Sequence, residues 1–385
     1  MTGVLLVPFP PAGHREPMAA LGARLRADGH TVTVFAESPA TRWHFDSPVP
    51  PELYATADSA RLYRHLFLGD VADMARDIAD LALACRAEVI VTDVMMPGGS
   101  LAAELTGLPY ASLSCCPVPA LDAYRTFIPE HTLAAFDPGS TLRELSLPGG
   151  DDRNLLGRTS PRLHLILTTP QIAGTPALPP EVVLVGPFAP QPSPPPPPPR
   201  GHGDGPPTVV VTASTHSIAA LGSRAFVQDR YLKAAAEALG GLPVSAVVTH
   251  PGSGDAPANV RFAGNLPHEE LFDGAAAVVT HAGWGTVSRA LVRGLPLVLV
   301  PISGDQPYIA ARCADLGAGI ALDAETVTAA GLRDAVRAVL EEPRYREAAG
   351  ALAAAIRAAA PLATACGLIT SLSNALTTSS PASEG

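Results

Sequence analysis

Residues 278–307 read VVTHAGWGTVSRALVRGLPLVLVPISGDQP. An apolar run, 275–279, ends at Thr280-His281, and a glycine-rich turn, 282–286, follows. A helical stretch, 287–293, is stopped by Gly294. A second apolar run, 297–300, leads to Asp305-Gln306. The chemistry open to this pattern is anion binding. Glycines let a backbone approach a phosphate, and the start of a helix offers N–H groups and the positive end of its dipole. His281 can add a hydrogen bond or a charge, and Thr286 a hydroxyl. Ligands of parallel α/β sheets sit beyond the carboxyl ends of the strands, where both polar groups fall. Glycine turns before helices also occur with no ligand, so the glycines alone leave a phosphate cradle and a plain turn both open.

The elements that must position these residues form two α/β series. Residues 4–9 read as a buried first strand. Residues 10–15 form a loop containing Gly13-His14, and Pro17 suits the first position of a helix that carries Met18, Leu21 and Leu25. Residues 31–36 are the second strand. The loop between them is not G-x-G-x-x-G, which disfavours a nicotinamide dinucleotide. A helix over 70–86, a strand over 88–92 ending at Asp93, a helix over 99–107 and strands at 109–114, 163–168 and 182–185 complete the series. Six consecutive prolines at 194–199 favour polyproline II, a semi-rigid spacer. The second series opens with a strand at 208–211 and the loop 212–217. A helix over 223–239, strands at 245–249 and 260–263, and a short helix at 267–273 follow. Beyond the 278–307 unit lie a helix over 305–316, a strand edge at 320–322 and helices over 329–341 and 344–360. The expected organisation is a first domain over 1–188, a linker over 189–207 and a second domain over 208–360. A tail over 361–385 is expected to be a helix packed back on the first domain, then disordered.

With 385 residues, nearly half of them hydrophobic, the chain can bury two cores. The formal net charge of −10 and the lack of a basic run argue against nucleic-acid binding. Five cysteines, an odd number with no C-x-x-C, fit a reducing cytoplasm rather than a disulfide framework or zinc site. The N-terminus leads straight into a strand, with no signal-peptide pattern, and no apolar run reads as long enough to span a bilayer.

The spacing His281-x-Gly283-Trp284-x-Thr286, with Asp305-Gln306 after the next strand, resembles the donor-binding signature of the UDP-glycosyltransferase superfamily, the inverting GT-B enzymes of plants and antibiotic-producing bacteria. The resemblance implies an α/β GT-B fold, two Rossmann-like domains facing across a cleft, with the acceptor held by the first and the nucleotide sugar by the second. Gly13-His14-x-x-Pro17 resembles the family's Gly-His-x-x-Pro loop, which makes His14 the general base toward the acceptor hydroxyl. A group titrating near neutrality suits that task. Asp93, at the end of its strand, is similar to the aspartate that orients this histidine. By the same resemblance His281, Gly283 and Thr286 contact the diphosphate and Gly285 leaves backbone room. Ser214 and Thr215 hydrogen-bond the β-phosphate, and Asp305 and Gln306 the sugar hydroxyls. Asn265-Leu266-Pro267-His268 stands in place of a Trp-x-Pro-Gln element, leaving base recognition to the backbone of Leu266. Arg289 occupies a position where plant-type members carry a ribose-binding glutamate, and an arginine cannot accept those hydrogen bonds. Apolar residues at 43–67, Met95-Met96, Cys115-Cys116 and 124–127 are candidate linings of an acceptor pocket.

The expected function is inverting transfer of a hexose from a nucleotide diphosphate sugar, UDP-glucose-like by preference, to a small lipophilic or aromatic natural product. No metal is expected, since no Asp-x-Asp site is evident, and no cofactor beyond the nucleotide sugar as co-substrate. The expected partners are that donor and the acceptor, with no nucleic acid and no stable membrane insertion, for a cytoplasmic monomer or homodimer. Two alternatives stand beside it. One is a TDP-deoxysugar or carbon-glycoside-forming transferase; the other is a non-catalytic GT-B-like accessory protein.

Overall fold

Apolar runs rich in β-branched residues, uninterrupted by charge, become strands buried on both faces of parallel sheets. The computed structural model describes residues 1–10, 12–36, 71–118, 138–148, 158–174, 177–190, 205–213, 225–249, 256–264, 266 and 268–377. In chain order its elements begin with β1 (Gly3–Val7), α1 (Ala12–Ala27), β2 (Thr31–Val34), α2 (Val71–Ala84), β3 (Val89–Asp93), α3 (Pro97–Thr106) and β4 (Tyr110–Ser114). Next come α4 (Pro138–Glu144), β5 (His164–Ile166), α5 (Pro170–Ala173), β6 (Val182–Leu184), β7 (Thr208–Thr212), α6 (Ala225–Gly240), β8 (Ser245–Thr249) and β9 (Val260–Phe262). The rest are α7 (His268–Phe272), β10 (Ala277–Thr280), α8 (Trp284–Leu291), β11 (Leu297–Leu299), α9 (Gln306–Asp315), β12 (Gly319–Ala321), α10 (Ala329–Glu341), α11 (Pro343–Ala358) and α12 (Pro361–Thr377).

The chain divides into two units: Met1–Leu167 with Ala177–Phe188 and Ala360–Gly385, and Thr168–Pro176 with Ala189–Ala359. The first domain therefore departs from the expected span of 1–188. Residues 168–176 pack with the second unit because Ile172 of α5 enters its core, and Arg312 donates to the carbonyls of Ile172 (3.0 Å) and Gln171 (2.9 Å). Most of the expected linker, 191–204, lies outside the described residues.

In the first unit the parallel order is β2-β1-β3-β4-β5-β6, so the direction of strand addition reverses between β1 and β3. Such a reversal opens a crevice at the carboxyl ends of the two strands. Two glycines seat α3 at close range: a methyl on Gly99 would run into Thr92 Oγ1, and one on Gly98 would lie 2.6 Å from Met74 Cγ. That contact fixes the strand that ends at Asp93. α12 buries Ala365, Cys366, Ile369 and Leu372 in the core that holds Met18, Leu21 and Leu25 of α1.

The stretch expected as a loop over 10–15 is largely helix. α1 starts at Ala12 and contains Pro17, whose missing N–H removes only the bond it would make to the carbonyl of Gly13. The expectation about membrane-length runs also needs correction: residues Pro343–Ser373 have the length and mean hydropathy (1.7) of a span. The stretch is alanine-rich and broken into α11 and α12 at Ala360, whose φ is 43°, and α11 and α12 lie in different units.

In the second unit the parallel order is β12-β11-β10-β7-β8-β9, with its reversal between β7 and β10. The buried hydroxyl of Tyr231 on α6 lies 2.9 Å from the carbonyl of Thr212 and 3.3 Å from that of Val279, tying together the ends of those two strands.

Candidate active site

The parallel register sets Val7 beside Thr92, so the residues that follow β1 meet the end of β3. Early entry into α1 turns His14 toward that end. Its Nδ1 lies 2.8 Å from Asp93 Oδ2, with the His14 side chain 25% exposed and that of Asp93 0%. Phe9 packs edge-on against the imidazole at 5.0 Å. The Met95 N–H donates to Asp93 Oδ1 at 2.9 Å, which fixes the carboxylate from its other side. With Nδ1–H donating to the carboxylate, Nε2 is the basic nitrogen. A buried anion behind it stabilises the imidazolium formed when Nε2 accepts a proton.

Cys115, just past β4, completes the surroundings. Its Sγ is 3.7 Å from Asp93 Oδ2 and 4.0 Å from the His14 carbonyl. Burial, then the charge of Asp93, push the thiol well above its ordinary pKa, so it stays protonated. His14, Asp93 and Cys115 form a group compact enough in donor type and spacing to hold a metal. The 2.8 Å nitrogen–oxygen distance is that of a shared proton, shorter than two ligands of one ion ordinarily approach, and it favours the hydrogen-bonded pair. Met95, Met96, Cys115 and Cys116 are all buried. Met95 and Met96 lie in one core cluster and Cys115 in another, so the two methionines pack in the core, while the Cys115 thiol also meets Asp93. Residues 43–67 and 124–127 lie outside the described residues.

In the second unit, His281 and Gly283 follow β10. Ala282 between them has φ 68°, a left-handed conformation that costs a residue bearing Cβ about 1 kcal/mol. It turns the chain from β10 into α8, and its N–H donates to Thr280 Oγ1 at 3.3 Å. Gly283 caps α8, so the expected glycine turn is helical from Trp284 onward. A methyl on Gly283 would sit 2.5 Å from His281 Nε2; the ring therefore lies against this α-carbon, at the positive end of the helix. Thr286 is buried in the first turn, and its N–H bonds the Gly283 carbonyl at 3.0 Å. Trp284 is buried in the core beneath. The structure thus brings His281, Gly283, Gly285 and Thr286 together at the reversal between β7 and β10. Ser214 and Thr215, which follow β7, lie outside the described residues.

Asp305 is the N-cap residue of α9. Gln306 does structural work: its Oε1 accepts the N–H groups of Ile302 (2.8 Å) and Ser303 (3.0 Å), leaving its amide NH₂ as the part that can meet a ligand. Leu266 is 37% exposed, and its N–H bonds the Gly264 carbonyl at 3.2 Å. That bond engages the backbone donor, while the carbonyl keeps its capacity to accept. His268 stacks on Phe272 at 5.2 Å. Burial, aided by the charge of Arg289, lowers its pKa to about 4, so it is neutral at neutral pH.

Arg289 donates to Glu269 Oε1 and to the Gly285 carbonyl, both at 2.8 Å. One turn on, Arg293 donates to Asp273 at 2.7 Å. Two acid–arginine pairs at the same separation of 20 residues join α7 and the residue after it to α8 and the turn that follows it. The repeated spacing was present in the sequence, where the partners of Arg289 and Cys115 were missed.

Two six-stranded parallel sheets, each with polar side chains at its reversal point, describe the GT-B class of fold. Residues 234–368 match the family described as erythromycin biosynthesis protein CIII-like, C-terminal domain. The chain is 27% identical over 398 residues to 4'-demethylrebeccamycin synthase of Lentzea aerocolonigenes, covering 89% of this chain and 93% of that protein. Among solved structures, it superposes on the glycosyltransferase of kitacinnamycin with a TM-score of 0.75 at 22% identity, covering 96% of this chain and 98% of that one. The glycosyltransferase VinC, solved in complex with dTDP, gives a TM-score of 0.69 at 21% identity over 97% of this chain and all of the other (100%). The chain therefore has the GT-B fold, and its sequence is similar to glycosyltransferases of the antibiotic and natural-product type.

Proposed function

We propose that this glycosyltransferase is an inverting enzyme with His14 as its base and a thymidine diphosphate sugar as its preferred donor. In the proposed reaction the acceptor hydroxyl gives its proton to His14 Nε2 as its oxygen bonds to the anomeric carbon. The bond from that carbon to the diphosphate breaks on the opposite face, the diphosphate leaves with the electron pair, and the configuration inverts. Asp93 holds the imidazole and stabilises its charged form. His281, the backbone from Gly283 to Gly285, Thr286, and Ser214 with Thr215 stabilise the charge gathering on the leaving group. Asp305 and the Gln306 amide NH₂ take the sugar hydroxyls, and the Leu266 carbonyl the base. The observation that carries this reading is the 2.8 Å contact between His14 and the fully buried Asp93.

The donor reading moves from UDP-glucose toward thymidine diphosphate for two reasons. The solved neighbour VinC holds dTDP. Arg289, committed to Glu269 and Gly285, offers no acceptor at a point where two ribose hydroxyls would need one, and a deoxyribose has one hydroxyl fewer. The proposed acceptor is a small lipophilic natural product, and the proposed setting a cytoplasmic one, without metal. Thermal shift with TDP and UDP tests the donor, since a ligand bound only by the folded state stabilises it. TDP is expected to raise the melting temperature more than UDP at equal concentration, and transfer followed by mass spectrometry should show the same order. A larger effect of UDP overturns the thymidine assignment.

A further inference from the structure

We propose that Cys115 is a positioning residue of the acid–base pair, its S–H directed at Asp93 Oδ2, the oxygen that also holds His14. The inference rests on the reading of His14 as the base. It starts from register. β4 runs beside β3 with Leu113 opposite Asp93, so the residue just past β4 reaches back over the carboxylate. Cys115 Sγ lies 3.7 Å from Oδ2, and the same sulfur is 4.0 Å from the backbone carbonyl of His14. One side chain thus touches both members of the pair.

The carboxylate has no solvent exposure, so its orientation is set by the donors around it. Oδ1 accepts the Met95 N–H. Oδ2 faces His14 Nδ1 and the thiol, which lie on different elements, α1 and the end of β4. A carboxylate held only by Met95 and His14 could rotate about its last bond and carry the imidazole with it; the third contact resists that rotation. Cys115 is itself buried, and the burial and negative charge that keep its thiol protonated make it a donor. It adds no second anion to the site. A donor on Oδ2 also draws off part of the charge that stabilises the imidazolium, so it tempers the basicity of His14 while fixing its direction.

Among the described residues, the titratable and charged groups near this pair include Asp93 at the end of β3, Cys115 and Cys116 past β4, and the exposed Arg15 and Glu16 beside His14 on α1. C115A removes the thiol donor together with some buried volume, and C115S restores a donor at the same place. The test is NMR titration of the His14 imidazole in the full chain, comparing wild type, C115A and C115S, beside a pH–rate profile. Loss of the thiol donor should move the His14 titration to higher pH by about half a unit, the scale of one weak hydrogen bond. The acid limb of kcat/KM should move with it, KM for the donor should stay constant, and C115S, which restores a donor, should return both curves toward wild type.

An unmoved His14 titration in C115A overturns the proposal. So does a fall in thermal stability and rate with both titration curves unchanged, which is the mark of a space-filling residue. The titration needs no turnover. If it moves in a protein that transfers no sugar, the transferase reading fails and the role of Cys115 stands.

Discussion

A histidine in a helical first turn becomes a useful base only when something fixes which nitrogen carries the proton. Here Asp93 does so at 2.8 Å, and its own second oxygen is tied to the Met95 N–H. The types and spacing of His14 and Asp93 were legible in the sequence as family-like positions; the thiol behind them was not. Cys115 looked like pocket lining because a cysteine in an apolar run carries no sign of what its sulfur meets across a parallel register. Gln306 was legible as a polar residue after a strand, yet its carbonyl oxygen is engaged with the loop at Ile302–Ser303, a use only the folded chain reveals. Gly283 makes the residue-scale prediction. In G283A the added methyl would meet His281 Nε2 at 2.5 Å, displacing the ring from the start of α8. Calorimetry should find nucleotide affinity reduced about tenfold or more, the loss expected for a hydrogen bond to a charged group. Binding equal to wild type would remove His281 from the phosphate site.

At the scale of elements, strand positions were readable because buried parallel strands are uninterrupted apolar runs. Helix starts were less so. Pro17 was read as a first helical residue, whereas α1 starts five residues earlier, since one missing N–H near a helix start removes a single bond. The short α5 and its attachment to the second unit left no periodic signal, having too few residues for one. β5 carries a buried histidine that makes stability depend on pH. His164 Nδ1 lies 2.8 Å from Ser112 Oγ, and burial lowers its pKa from 6.5 to about 4. The folded state keeps this ring neutral while the unfolded chain protonates it below about pH 6.5. The unfolded state therefore binds more protons between those values, and stability falls as pH drops from about 6.5 to 4, by up to about 3 kcal/mol. Urea unfolding of the first unit at pH 7 and pH 5 should show the fall, and H164N should show less of it. An equal fall in the variant would assign the effect to other groups.

For the whole molecule, two sheets have reversal points at β1/β3 and β7/β10, and the proposed reaction divides between them, proton removal on the first unit and leaving-group binding on the second. The sequence carried this division as two α/β series on either side of a proline tract. It did not carry the exchange of segments by which 168–176 joins the second unit and α12 the first, because chain order does not record which core a short segment enters. The division makes the two functions separable by mutation. The most direct test is paired measurement on wild type and H14A: transfer from a TDP-hexose to a panel of lipophilic aromatic acceptors, followed by mass spectrometry, and TDP binding by calorimetry. The expected result is a transfer rate lowered about 10²- to 10⁴-fold in H14A, the range for loss of a general base, with TDP affinity unchanged. Equal turnover by H14A and wild type would contradict the assignment of His14 as the base.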